Sequence, residues 1–347
     1  MVMQKQRIGY LDAVKGLGIL LVVFAHVNYT PPLLVYAYSF HMPLFFLLSG
    51  MLFDSSRYNK FSAFVVHKAK TLLCPYVLFS VLTMLCSSVV DIAGGVFSWQ
   101  DILEGLWQIV LSRGSQTIAH AAMWFLTCLF VVEATYFFLV KLNKIWIASI
   151  SVLLTVLGWV MESGILPLGH APFPWSLDSA FFCMGFFALG NLFANRIKKT
   201  VDAVKESKFT VLICLAVMIV CLAVQLPVAF LNGKVSIGSK ILGNGFFLYI
   251  TGVFGTACFL AVGVLLEKSR FLRYCGRNSL YILSIHWIAF LVVQFLSGKI
   301  SVLTYDREDL LQTLLPFALV LLISLAGTKV YVWIKTLLTD RRVKKPV

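Results

Sequence analysis

Residues 11–29 read LDAVKGLGILLVVFAHVNY. This stretch is long and apolar enough to cross a bilayer as one helix, yet it holds Asp12, Lys15 and His26. At about 100° per residue, Lys15 and His26 fall on one face, roughly 16 Å apart along the axis. Asp12 begins the same stripe one turn earlier. Ionisable groups inside a spanning helix usually face a protein interior or a watery cavity, so this line of side chains predicts a functional site.

Composition places the rest of the chain in a membrane as well. The 347 residues are 60% hydrophobic and 13% charged, and a soluble domain carries about twice that share of charge. Spans of about 20 apolar residues can be marked off between polar segments. They cover residues 11–29, 33–53, 72–92, 120–140, 145–162, 176–194, 209–231, 241–266, 279–297 and 310–334. The predicted fold is all-α, a polytopic membrane bundle of about ten transmembrane helices.

The distribution of basic residues sets the expected topology. Most of the 29 Lys and Arg residues lie in loops on the side of the amino terminus, which predicts that both termini are cytoplasmic. The expected location is the cell (plasma or inner) membrane, with membrane lipid as a partner. We predict a single integral membrane domain over residues 1–347, with a short basic cytoplasmic tail at 335–347.

The composition also argues against binding of nucleic acid, a metal ion or a resident cofactor. The net charge of +14 is spread over short patches and not over one basic face, so we expect no nucleic acid. The eight cysteines show no metal-like spacing, and we expect no metal and no bound cofactor.

The second span supplies another candidate, His41, in a stretch that contains the helix-breaking Pro43. Imidazole titrates near neutral pH and is the usual general base for activating a hydroxyl. His26 and His41 on adjacent helices are therefore candidates for one cavity. Each of them is also compatible with a hydrogen-bonded structural role, and Lys15 with snorkelling to the membrane interface.

Several motifs in order along the chain carry a resemblance to a known family. A basic residue eleven positions before a histidine, followed by HMPLFFLLSG at 41–50, resembles the acyltransferase 3 family of integral membrane acyltransferases. The similarity continues through LLCPY at 72–76, MWFL at 123–126, PWSLD at 174–178 and GRNSLYILSIH at 276–286. Lys15 stands where many members have arginine, and lysine is common in the branch that resembles fucose 4-O-acetylases.

The resemblance implies O-acyl transfer, most often of acetyl from acetyl-CoA, as co-substrate, to a hydroxyl of a cell-envelope or exported polysaccharide sugar. The acceptor is then a carbohydrate, and His26 is our choice of general base. The catalytic candidates are His26, Lys15, His41 and Asp12. The substrate-binding candidates are Trp124, Phe125, Asp178, Asn244, Ser279 and His286. The candidates for the acyl-CoA phosphates are Lys68, Lys70, Arg273 and Arg277. Many members carry an extra extracellular domain, so a separate extracytoplasmic partner protein is an expectation here.

Several alternatives stay open at this point. Asp178 is either an acid stabilised at a helix N-terminus or a partner that orients an imidazole. Glu133 lies half a turn out of phase with Trp124, so the two cannot face one cavity on a straight helix. The intramembrane His, Lys and Asp residues are also compatible with a proton relay in a polytopic transporter or exporter. A structural or assembly role in polysaccharide export is a third reading.

Overall fold

The computed structural model describes residues 8–113, 122–163, 173–300 and 306–343, with the backbone alone for 339–343. These residues are helical, and they contain no strand beyond one isolated bridge between Ser236 and Ile241. The predicted all-α class is therefore confirmed. The helices are α1 (Gly9–Val27), α2 (Pro31–Tyr38), α3 (His41–Leu52), α4 (Phe61–Lys68), α5 (Cys74–Ala93), α6 (Trp99–Leu111), α7 (Trp124–Leu139), α8 (Lys144–Glu162), α9 (Leu177–Glu206), α10 (Thr210–Asn232), α11 (Gly245–Leu265), α12 (Arg270–Arg277), α13 (Ser279–Ser297) and α14 (Leu314–Val343).

Nine helical segments in the described part of the chain are long and apolar enough to cross a membrane. The predicted span at 120–140 corresponds to α7, an apolar helix of 16 residues. At 1.5 Å per residue α7 is roughly 24 Å long, short of the hydrocarbon thickness of about 30 Å. The chain is a multi-pass membrane protein.

Both ends of the described chain lie at one end of the bundle, which we call the terminal end. There Arg277, just before α13, donates to Asp12 near the start of α1, with 2.9 Å between Nε and Oδ2. Lys335, late in α14, lies 2.8 Å from the Tyr281 hydroxyl in the first turn of α13. His26 and the end of α1 lie at the other end of the bundle, which we call the opposite end.

Glycines allow α1 to pack against α12 with their backbones in direct contact. A Cβ on Gly16 would overlap the carbonyl of Leu272, and a Cβ on Gly276 would overlap the carbonyl of Asp12. Small residues permit this close approach between helices in membranes, where the hydrophobic effect gives little drive for association. Helix α1 also contacts α3, α11, α13 and α14. The line of ionisable residues on α1 therefore lies inside the bundle.

The second predicted span, 33–53, is two helices rather than one. Phe40, at φ −147° and ψ −16°, separates α2 from α3. Pro43 has no N–H for the carbonyl of Ser39 four residues earlier, and Thr251 of α11 donates its hydroxyl to that carbonyl at 3.0 Å. The interruption therefore lies one turn before the proline, and it places His41 in the first turn of α3.

Candidate active site

Three histidines from three helices meet at the opposite end. The His26 ring centroid lies 5.0 Å from that of His286 on α13 and 6.4 Å from that of Tyr38 on α2. Tyr38 in turn lies 4.8 Å from the ring of His41. Trp287, which follows His286, lies 5.4 Å from His26. We call these five residues the imidazole cluster.

Backbone contacts fix the tautomer of each imidazole ring. In every case Nδ1 donates to a carbonyl of the preceding turn: His26 to Val22 at 2.7 Å, His41 to Ala37 at 2.6 Å and His286 to Leu283 at 2.7 Å. In a neutral ring the other nitrogen, Nε2, is then left as an acceptor. A neutral imidazole with a free Nε2 is the form that a general base requires.

The three rings differ in how much of them is covered. His41 and His286 are buried, whereas His26 is only half-buried. The Nε2 atom of His286 is itself buried and has no hydrogen-bond partner among the described residues. No described residue binds the Nε2 of His26, so this ring combines an available acceptor nitrogen with partial access and is the one best placed to meet a second molecule.

Arg307 closes the end of α1 beside the cluster. Its Nη2 donates to the carbonyl of His26 at 2.5 Å, and its Nε donates to that of Val27 at 3.3 Å. The guanidinium carbon lies 3.7 Å from the ring centroid of Tyr29. A cation suits a helix C-terminus, where the last carbonyls have no partner within the helix. Arg307 thus fixes the backbone that carries the His26 ring.

Lys15 lies three turns before His26 on α1 and lines two cavities. The first, which we call the shaft, has a volume of about 250 Å³. Its lining includes Arg277 at the terminal end. It also includes Met42 next to His41, Leu283 one turn before His286, and Ile19 two turns before His26. It is lined by Lys15, Ile19, Met42, Phe45, Ser49, Leu72, Phe125, Leu129, Gly276, Arg277, Ser279, Leu280 and Leu283. The shaft thus joins the level of the terminal end to the level just beneath the imidazole cluster.

The second cavity, which we call the vestibule, has a volume of about 210 Å³ and is mostly polar. It is lined by Lys15, Ser49, Leu52, Phe53, Asp54, Arg57, Tyr58, Phe64, Lys68 and Glu133. Burial raises the pKa of the Tyr58 phenol, and the negative charge of Glu133 raises it further. Tyr58 is therefore a neutral hydrogen-bonding group on the wall of the vestibule.

Charges in and around the vestibule are mostly paired. Lys68 Nζ lies 2.8 Å from both carboxylate oxygens of buried Glu133. A five-residue π-helical turn, Ala69–Leu73, follows Lys68 directly, and such turns often occur at functional sites. Within the described residues Lys15 has no hydrogen bond or ion pair. Lys15 is therefore a basic side chain that faces two cavities and has no ion pair in the described part of the chain.

The other predicted phosphate-binding residues lie at the terminal end. Arg277 is exposed, lines the shaft and pairs with Asp12. Lys70 is exposed on the π-helical turn, and the buried Nε of Arg273 on α12 has no partner among the described residues. The catalytic candidate Asp12 is thus held by an arginine, 14 residues along α1 from His26.

Phe125 and Ser279 line the shaft, and His286 belongs to the imidazole cluster. The other three substrate-binding candidates, Asp178, Asn244 and Trp124, line neither cavity. Asp178 pairs with Lys240 and accepts the backbone N–H of Ser179 at 2.9 Å. It thus takes the helix-N-terminal role, and its side-chain partner is a lysine rather than an imidazole. Asn244 caps α11 by accepting the N–H of Phe246 at 3.0 Å.

Trp124 and Glu133 point to different places, as their phase on the helix predicts. The indole of Trp124 packs against Gly238, where a Cβ would overlap the ring, whereas Glu133 lines the vestibule. The polar cavity and the Lys68 ion pair give Glu133 the surroundings that an acid in a membrane span requires.

Three residues of this site were not found from the sequence. Tyr38 and Trp287 look like ordinary apolar-span residues, and Arg307 looks like an ordinary loop cation. The available signals were the position of Trp287 next to His286 and the position of Arg307 in a loop on the side where basic residues are few.

The motifs that gave the resemblance agree with a whole-chain comparison. The family model for acyltransferase 3, described as an acyltransferase domain, matches residues 8–333. No curated protein and no solved structure matches the chain significantly. The match includes α1, the imidazole cluster, the shaft and the vestibule, and covers nearly the whole chain. The chain therefore belongs to the acyltransferase 3 family of membrane acyltransferases.

Proposed function

We propose that the chain is an O-acetyltransferase of the fucose 4-O-acetylase-like branch. It moves an acetyl group from acetyl-CoA to a hydroxyl of a cell-envelope or exported polysaccharide sugar, at the cell membrane. The observation that carries this proposal is the half-buried His26 ring, whose Nδ1 is held by Val22 and whose Nε2 has no partner among the residues that the structure describes. This ring is suited to take the proton of a sugar hydroxyl as it attacks the thioester.

The donor enters from the terminal end, which is cytoplasmic in this proposal. Acetyl-CoA is made in the cytosol, and its phosphates suit the cations at that end: Lys68, Lys70, Arg273 and Arg277. The Lys15 side chain lies where the shaft meets the vestibule and has no ion pair among the described residues. In this proposal it guides the donor inward. A lysine is a point charge and lacks the planar fork of the more usual arginine.

The reaction then takes place at the imidazole cluster. His26 accepts the hydroxyl proton as the new C–O bond forms, and it returns that proton to the sulfur of CoA as the C–S bond breaks. His41 and His286 each keep Nε2 as an acceptor, which suits them to hold hydroxyl groups of the sugar. Phe125 and Ser279 line the path of the acyl arm.

The direct test is mass spectrometry of envelope glycans from cells with the chain, without it, and with His26→Ala. We expect an added acetyl group on one sugar in the first case alone. Glycans that are equally acetylated in all three would refute the proposal. Uptake or efflux of a solute without any acyl transfer would favour the transporter reading.

A further inference from the structure

The Trp287 indole carries a hydrogen-bond donor that is unused in the described part of the chain. Its Nε1 is buried and has no hydrogen-bond partner among the described residues. Indole is a donor only, and a buried donor without a partner costs about 1–3 kcal/mol. Within a membrane such groups are satisfied by protein or line a cavity. Beside the proposed general base, such a donor is available to an acceptor atom of a bound substrate.

The position of the indole relates it to the base. Its ring centroid lies 5.4 Å from that of His26, with the planes at 87°, and 6.2 Å from that of His286. Phe290 packs on it at 5.3 Å and fixes its orientation. One unmatched donor therefore lies beside two histidines whose free Nε2 atoms are acceptors.

This combination matches the reacting groups of acyl transfer. The attacking hydroxyl is a donor, which suits an imidazole acceptor. The thioester carbonyl is an acceptor whose negative charge grows as the tetrahedral intermediate forms, and it needs a donor in a place poor in water. The imidazoles provide no such donor, because each Nδ1–H is already held by a backbone carbonyl.

We propose that Trp287 is a catalytic residue whose indole N–H stabilises the oxyanion of the acyl-transfer intermediate. This inference rests on the acetyltransferase function proposed above. The sugar oxygen attacks the thioester carbon and its proton passes to His26 Nε2, while the electron pair moves to the carbonyl oxygen, which accepts the Trp287 N–H. When the carbonyl re-forms, the C–S bond breaks, and His26 gives the proton to the CoA thiolate.

Other cations and donors near His26 are less suitable. The Nε and Nη2 of Arg307 already donate to the backbone of Val27 and His26. Lys15 lies roughly 16 Å away along α1. The ring of Tyr38 is 6.4 Å from that of His26, farther than the indole, and packs mainly on His41.

The test uses the full chain in detergent, with acetyl-CoA and glycan extracted from cells that lack the chain. Trp287→Phe keeps an aromatic ring and removes the N–H. We expect kcat to fall on the order of 100-fold, as when one oxyanion donor is lost, with the KM for acetyl-CoA nearly unchanged. The matched control is Trp333→Phe, since Trp333 is 63% exposed on α14, and Tyr38→Phe tests the competing donor.

A spectroscopic readout separates this role from packing. The carbonyl stretch of bound [1-¹³C]acetyl-CoA should lie at a lower frequency on the wild-type chain than in water, and the shift should be lost in Trp287→Phe. An unshifted band on the wild-type chain would overturn the inference even if the variant did not fold. So would a Trp287→Phe enzyme with the kcat of the control, or a loss confined to Tyr38→Phe. A wild-type chain that transfers no acetyl would instead overturn the proposed function itself.

Discussion

The vestibule and the imidazole cluster differ in how their polar side chains are paired. On the wall of the vestibule acids pair with bases: Lys68 lies 2.8 Å from Glu133, and Arg57 lies 3.2 Å from Asp54. In the cluster each imidazole is anchored through Nδ1, and the buried Nε2 of His286 and Nε1 of Trp287 have no partner among the described residues. This difference fits the proposed function, in which the vestibule binds the charged groups of the donor and the imidazole cluster carries out acetyl transfer.

Lys15 is the point where the two regions meet. Lys15 lines the vestibule, but unlike Lys68 it has no ion pair within the described chain. It also lines the shaft, which ends beneath the imidazole cluster. The proposed function predicts that Lys15 affects donor binding more than the chemical step. The following variants test whether the two regions can be separated.

The largest effect is expected in the cluster. His26→Gln keeps a polar side chain and removes the proton acceptor, so we expect acetyl transfer to fall by about 10²–10⁴-fold. The rate of thiol release from acetyl-CoA in the presence of extracted glycan measures the loss. His67→Gln is the matched control, because His67 is exposed at the end of α4. A His26→Gln enzyme as active as this control would contradict the assignment.

The next effect is on stability, at the vestibule. Glu133→Gln leaves the partly buried Lys68 ammonium without its counter-charge, and breaking such a pair costs about 3 kcal/mol. We expect a lower Tm by thermal unfolding in detergent. The double variant Lys68→Met/Glu133→Gln should recover much of the loss, because it removes both charges. An unchanged Tm in Glu133→Gln would show that this ion pair contributes little.

A smaller effect is expected for the cation between the cavities. Lys15→Met removes one charge-assisted contact, worth about 1.5–3 kcal/mol, so we expect the KM for acetyl-CoA to rise about tenfold or more. Lys15→Arg should preserve most of the affinity because it keeps the charge. Equal KM values for Lys15→Met and the wild type would remove Lys15 from the donor path.

The smallest effect is expected at the rim of the terminal end. The Asp12–Arg277 pair is partly exposed, with 42% of the arginine side chain and 18% of the aspartate accessible. Solvent screens such pairs, so Asp12→Asn should cost under about 1 kcal/mol of stability. Thermal unfolding of this variant checks the value. A large loss of acetyl transfer with an unchanged Tm would instead show that Asp12 acts in the reaction, as predicted from the sequence.

The sequence predicted the helical bundle and part of the site for clear physical reasons. Hydrophobic length marked the spans, and helical phase placed Lys15 and His26 on one face of α1. The same phase argument separated Trp124 from Glu133. Each of these inferences concerns a single helix, so the spacing of residues within that helix was sufficient to make it.

The remaining features depend on contacts between distant segments. His286 joins His26 because α13 contacts α1 in a register that no local pattern specifies. The interruption at Phe40 depends on a hydroxyl from Thr251 on α11, and so its exact position did not follow from Pro43 alone. Arg307 reaches the end of α1 from a loop about 280 residues later in the chain. Local periodicity carries no information about these pairings.

In the proposed function, His26 accepts a proton at the point where the path of acyl-CoA through the bundle ends. The most direct measurement compares acetyl-CoA binding and acetyl transfer for His26→Gln and Lys15→Met, side by side with the wild type. We expect His26→Gln to bind acetyl-CoA normally and to transfer almost nothing, whereas Lys15→Met should bind acetyl-CoA poorly and transfer acetyl at saturating donor. Normal transfer by His26→Gln, at any donor concentration, would contradict this expectation.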